Sequence, residues 1–206
     1  MVTTVGLLQK VCYIMPVILL GTLDTKGVEF QLVRDLLRQH NVATLVMDVG
    51  SQGPPHFTPD IGREQVFSAA GSTLAAVLAA NDRGQAVELA ARGAARLAAD
   101  LHRQGQVQGV LGLGGSAGTT IGTAAMRALP FGIPKLMVST LASGQVKQYV
   151  GVRDVMMLHS VVDISGLNRI SRMVLQNAAA AMAAMVQAGE KSRESGARSQ
   201  AAADKP

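Results

Sequence analysis

Aromatic residues are scarce: the sequence has no Trp, two Tyr and four Phe among 206 residues. The core must therefore be assembled from Ala, Val, Leu, Ile and Met. There is also no ring-rich basic surface of the kind on which single-stranded nucleic acid stacks. Cysteine is as rare. The lone Cys12 excludes an intrachain disulfide framework and a Cys-based zinc site, which fits a reducing cytoplasm. No apolar run is long enough to span a bilayer, so no membrane partner is expected. Lys10 and the apolar residues 11–20 imitate a secretory h-region. That run passes straight into Gly21-Thr22-Leu23-Asp24-Thr25-Lys26-Gly27 with no small-residue cleavage site, and secretion is not expected. A net charge of +5 would suit nucleic acid. Arg92, Arg96 and Arg103 are nevertheless spaced along one helix with Glu88 and Asp100 nearby, as on an ordinary solvated face. The sequence argues against a nucleic-acid partner.

Glycine is abundant, with 22 residues, and the length suits one domain with a full core. Residues 1–14 read as an extension, 15–187 as the folded domain and 188–206 as a polar, disordered tail. Val17–Leu20 is a continuous apolar run, the mark of a strand buried on both faces. A helix follows Gly27 to about Gln39, with Val28, Leu32, Val33, Leu36 and Leu37 on one face and Asp24 or Thr25 as cap. Ala43–Val49 makes a second strand, and Gly50–Asp60 a broken polar loop placed where a ligand-facing loop would be. A short helix over Arg63–Ala70, an apolar patch over Leu74–Ala80 and a long helix from Asp82 to about Gln104 come next. Val87, Ala90, Ala94, Leu97 and Leu101 form the inner face of that long helix. Further strands are expected at Val107–Leu113, Leu136–Val138 and Val155–Leu158, with Val161-Val162 in another short one. A helix from about Thr119 to Leu129 and a short one over Gln145–Val150 separate them. The last helix spans Leu167 to Val186, with Asp163 and Ser165 as caps and Leu167, Ile170, Val174, Ala178, Ala181 and Met185 as its apolar stripe. Strands alternating with helices predict an α/β fold, a Rossmann-like doubly wound, mostly parallel sheet with helices on both faces.

The stretch Val110-Leu111-Gly112-Leu113-Gly114-Gly115-Ser116-Ala117-Gly118-Thr119 is a strand that empties into a glycine turn before a helix. Such turns bring backbone N–H groups close to phosphate at a helix N-terminus. The same letters also fit a plain tight turn. Gly112 to Ala117 matches the dinucleotide pattern, but the next strand ends at Ser139 where a ribose-binding acid belongs, which counts against NAD. No Gly-Lys-Ser or Gly-Lys-Thr occurs, so a standard P-loop is excluded. Gly114-Gly115-Ser116-Ala117-Gly118 also matches the nucleophile elbow G-x-S-x-G, with Asp154 and His159 as the nearby acid and base. Five residues cannot hold both on separate strand ends. A serine hydrolase using Ser116 is therefore the second reading, and an interaction module whose glycine loops are only turns is the third. His40, His56, His102 and His159 show no ligand spacing, and no protein-built metal site is expected. Asp24, Asp48 and Asp163 could each meet Mg²⁺ only where phosphate is present, and each has a plainer use in a cap or loop.

Four motifs occur in order: Gly21 to Gly27, Gly112 to Thr119, Ser139-Thr140-Leu141-Ala142-Ser143-Gly144 and Asp163-Ile164-Ser165-Gly166-Leu167-Asn168. Together they resemble the ATP-binding N-terminal domain of the tomato mosaic virus resistance protein-like family, which has many bacterial members. The resemblance covers about residues 15–187. It implies a Rossmann-like domain that binds ATP and tends to form a homo-oligomer, a dimer. Members usually continue into a second α/β domain, which here would lie on another chain if this sequence is not a fragment.

On that reading Gly114, Gly115, Ser116 and Thr119, in the loop with Gly118, hold phosphates. Gly21, Thr22, Asp24, Thr25, Lys26 and Gly27 close from the neighbouring strand, with Lys26 offsetting phosphate charge. Thr140, Ser143 and Gly144 line the other side, and Asp48 meets a ribose hydroxyl. No residue stands out as a base for attacking water, so catalysis is left open.

Overall fold

The computed structural model describes residues 15–203; the extension expected over 1–14 and the last three residues lie outside them. Five strands form one sheet: β1 (Val17–Gly21), β2 (Thr44–Asp48), β3 (Gly109–Gly114), β4 (Lys135–Ser139) and β5 (Met156–His159). Every pairing is parallel, and the order is β2-β1-β3-β4-β5. The helices are α1 (Leu23–Gln39), α2 (Arg63–Ala69), α3 (Leu74–Ala80), α4 (Arg83–Arg103), α5 (Ser116–Arg127), α6 (Lys147–Val150) and α7 (Arg169–Ala203). Alternate residues of β1 feed two cores. Val17 and Leu19 meet Phe30 and Val33 of α1 and Ala178 and Met182 of α7 on one face. Ile18 and Leu20 meet Ala90 and Ala94 of α4 and Ile121 and Met126 of α5 on the other. That double burial is why β1 reads as unbroken apolar sequence.

Several boundaries move. α1 begins at Leu23, ahead of Gly27, and Lys26 is a non-helical kink within it. Its N-cap is Thr22, so neither Asp24 nor Thr25 is the cap. Phe30 takes the core position and leaves Val28 exposed. α5 begins at Ser116, three residues before the expected start. Val161 adopts a positive φ of 66° and no strand includes it or Val162 among the described residues, because the chain turns away from β5 there. The Asn168 carboxamide accepts from the N–H groups of Ile170 (2.9 Å) and Ser171 (3.0 Å) and so caps α7 in place of Asp163 or Ser165. The buried stripe of α7 runs through Leu175, Ala178, Met182 and Val186, and Ile170 is 44% exposed. Ala and Met occur on several faces of this helix, so more than one 3-4 register reads as apolar. The helix continues past Val186 to Ala203, where Ala, Gln, Glu, Lys and Arg outnumber two Gly and three Ser.

Small residues let the helices approach. α4 buries Ala86, Ala90, Gly93, Ala94 and Ala98, with Val87, Leu97 and Leu101 only partly buried. A Cβ on Gly93 would overlap the carbonyl oxygen of Val66 in α2, which is backbone and cannot swing aside. Gly93→Ala is expected to lower unfolding free energy by about 1–3 kcal/mol, the usual cost of overpacking, despite its better helix propensity. Urea denaturation checks this, and unchanged or raised stability would refute the close α2–α4 approach.

Candidate functional site

The chain leaves β1 toward β2 on one side, and β3 adds on the other. This order puts the topological switch point between β1 and β3, where the loops leaving the strand ends diverge and open a crevice. A cleft of about 260 Å³ lies there. Thr22, Asp24, Thr25 and Lys26 wall it from the start of α1, and Gly115, Ser116, Ala117 and Gly118 from the start of α5. Ser51 and Gln52 come from the loop after β2, and Arg83 from the first position of α4.

Two helices therefore aim their N-terminal ends at one crevice. The N-caps of α1 and α5, Thr22 and Gly115, make no side-chain capping bond. Thr73 caps α3, Asp82 caps α4 and Asn168 caps α7, whereas α2 and α6 begin, like α1 and α5, without a side-chain bond from the N-cap residue. At α1 the Asp48 carboxylate takes the Leu23 N–H and the Thr22 carbonyl takes those of Thr25 and Lys26, so the anion-favouring helix end in the cleft is that of α5.

The glycines of the opening motif divide by function. A Cβ on Gly114 would lie 2.6 Å from the Cα of Gly118, so these two serve close packing of strand and helix. Gly115 is different. Its nearest neighbour to a Cβ is the Thr140 hydroxyl at 3.7 Å, so the protein itself leaves room there, facing the cleft. Gly21 and Gly27 make room for the Phe30 ring and His56 respectively and are packing residues.

The hydroxyls divide too. Ser116 is exposed on the cleft wall. Thr119 is fully buried, 2.7 Å from the Ser139 hydroxyl, so it ties the first turn of α5 to the end of β4 and does not face the cleft. Thr22 and Thr25 hydrogen-bond each other at 2.8 Å. Thr140 stands behind Gly115, whereas Ser143 and Gly144 are exposed in the turn after β4 and do not line the cleft.

Acids and bases shape the walls. Asp24 accepts from the N–H groups of Gln52 (2.8 Å) and Gly53 (3.2 Å), which pins the loop after β2 over α1; its other oxygen is buried without a partner. Lys26 lines the cleft, but its ammonium donates to the Ile164 carbonyl, and the Gly166 N–H donates to Glu29 at 2.6 Å. The fourth sequence motif is thus an anchor for α1. Asp48 is fully buried and lies outside the cleft lining. It accepts from Leu23 N–H at 3.0 Å and Gly50 N–H at 2.9 Å, and so joins the two walls from below. Burial pushes its carboxyl above the ordinary value of 3.8, against the pull of those two N–H groups.

Asp154, the acid considered for a hydrolase, pairs with buried Lys135 at 2.8 Å. Lys135 opens β4, so that pair occupies the sheet edge opposite Ser116. His159 ends β5 level with Ser139, two strands from β3. Arg83, Ser51 and Gln52 are the polar cleft residues that sequence reasoning did not assign. The loop carrying the latter two was expected to face a ligand, whereas Arg83 lies in the long helix expected from Asp82, to which no site role attaches in the sequence. Among the described residues no cluster of three or more His, Cys, Asp or Glu could hold a metal, and no helix is long and apolar enough to cross a membrane.

The fold and cleft define a doubly wound α/β domain with a ligand-sized crevice at its switch point. The chain belongs to the Uncharacterised protein family (UPF0261), whose N-terminal domain it matches over residues 15–191. It is 45% identical to a UPF0261 protein of Clostridium tetani over 170 residues, which is 82% of this chain and 42% of that protein. It is 46% identical to one from Rhizobium meliloti over 165 residues, 80% of this chain and 40% of that protein. The ToMV resistance protein Tm-1(GCR237) of Solanum lycopersicum is 44% identical over 107 residues, 52% of this chain and 14% of that protein. The chain spans about two fifths of the length of these bacterial relatives.

Because its folded-state pKa is raised, Asp48 favours the native state most below the ordinary carboxylate value, and that contribution is lost as pH rises through the raised value. Asp48→Asn keeps an acceptor and cannot ionise. The stability of the variant relative to wild type is expected to grow as pH rises from 3.8 and then level off. Denaturation curves across that range test it; a difference independent of pH would contradict the burial argument.

Proposed function

We propose that this domain binds a nucleotide, ATP in the first instance, with its phosphates against the start of α5. The observation that carries the reading is the start of α5, which has no side-chain cap and opens through Gly115 onto the switch-point cleft. Gly115 gives phosphate access to the N–H groups of Ser116, Ala117 and Gly118, and Ser116 adds a hydroxyl. Arg83 supplies cationic charge at the rim, since Lys26 is engaged with the Ile164 carbonyl. Asp24 is the carboxylate nearest to hand for a phosphate-borne Mg²⁺, through its partnerless oxygen. Binding alone is proposed; no side chain in the cleft is placed as a base toward a water.

The residues fit phosphate better than they fit acyl transfer, because Asp154 is on the far edge from Ser116. The family resemblance also carries a homodimer and a second α/β domain into the proposal. Exposed Ile170 and Met173 on α7 offer apolar surface to such a contact. A cytoplasmic setting accompanies the nucleotide reading.

Titration calorimetry of the 206-residue chain with ATP, with and without Mg²⁺ and with NAD as control, tests the proposal. Saturable heat with ATP and none with NAD is expected. Gly115→Val should weaken ATP by at least about tenfold, or ~1.4 kcal/mol, while the chain still unfolds in one cooperative transition, since a Cβ there meets nothing closer than 3.7 Å. Ser116→Ala should retain most of the affinity. No heat at millimolar ATP, or equal affinity in Gly115→Val, would overturn the reading.

A further inference from the structure

A second cavity of about 240 Å³ opens beside the cleft, between α3, α4 and the loop after β2. It shares Ser51, Gln52, Arg83 and Ala86 with the main cleft, so the two compartments meet along a common wall. Each alone falls short of the roughly 300–1,000 Å³ of ordinary small-molecule sites, and together they fall within it. Their linings differ in kind. The side compartment adds Val77 and Leu78 as apolar faces, the Asn81 carboxamide as a hydrogen-bonding group and the Asp82 carboxylate as negative charge. The main cleft adds the two helix N-termini.

We infer that a ligand spans both compartments, with its phosphates in the main cleft and its nucleoside in the side compartment between α3 and α4. This rests on the nucleotide reading and gives it a direction. The Asp82 carboxylate, bound to the Gln85 N–H at 3.1 Å as a helix cap, repels phosphate from the side compartment. A heteroaromatic ring finds apolar contact on Val77, Leu78 and Ala86 there, and the carboxamides of Gln52 and Asn81 meet its polar edge or the ribose hydroxyls. Arg83 stands on the shared wall, where it serves the phosphate nearest the sugar.

Tripolyphosphate and ATP separate the two ends. Leu78 is 47% exposed, so Leu78→Trp fills the side compartment without disturbing a packed core. That variant is expected to weaken ATP by about tenfold or more and to leave tripolyphosphate within about twofold of wild type. Asn81→Gly keeps the left-handed backbone (φ 46°), removes the carboxamide, and should weaken ATP with the same selectivity. Gly115→Val is expected to weaken both probes. If Leu78→Trp and Asn81→Gly leave ATP unchanged while Gly115→Val weakens it, the nucleoside lies elsewhere and this inference fails with the nucleotide reading intact. Equal weakening of both probes by Leu78→Trp also overturns it. If neither probe binds the wild-type chain, the nucleotide reading itself has failed.

Discussion

The buried carboxylate of Asp48 is the joint on which the candidate site depends. It accepts one N–H from the first residue of α1 and one from Gly50, and so fixes the start of a helix against the loop that leaves β2. Above it Asp24 repeats the device, with two N–H groups of the same loop on one oxygen. An acid without such bonds would be costly at this depth, and bonds without burial would be loose. Together they hold one wall of the cleft, with the first N–H of α1 already bound to Asp48. The opposite wall uses backbone alone: Gly114 and Gly118 let β3 and α5 pack at close range, and Gly115 stays bare.

This division explains why a motif dense in glycine and hydroxyls gives only part of its length to the cleft. A phosphate-facing loop must be held rigidly, so most of its residues support the few that face the cleft. Thr119, Gly21 and Gly27 support; Gly115 and Ser116 face outward. Lys26, the residue whose charge suggested phosphate most directly, ties α1 to the segment before α7. Cationic charge comes instead from Arg83, more than fifty residues further along the chain.

The fold class was legible because alternate residues of each inner strand serve two cores, which leaves continuous apolar runs between glycine turns. Most elements followed from that, including the short α6, whereas α3 reads from the sequence only as an apolar patch. Registers on helices rich in Ala and Met were not legible: in α7 both Ile170 and Leu175 belong to plausible stripes, and only packing against α1 chooses Leu175. Caps were misleading where Asp, Ser or Thr crowd a turn, as before Asn168, and Asp82, read as the first residue of the long helix, proves to be its cap. The convergence of loops after β1, β2 and β3 was visible from sequence. The contribution of α4 was not, because Arg83 reaches the cleft only once α4 has crossed the sheet.

The central claim is that N–H groups at the start of α5 receive an anion. Backbone amide spectra of the isotope-labelled chain, recorded as ATP is added, test it most directly. The account requires saturable shifts of the Ser116, Ala117 and Gly118 amide signals, with smaller ones at the start of α1 and little change along β5. Shifts confined to other surfaces, or unmoved Ser116–Gly118 signals while ATP binds, would contradict it.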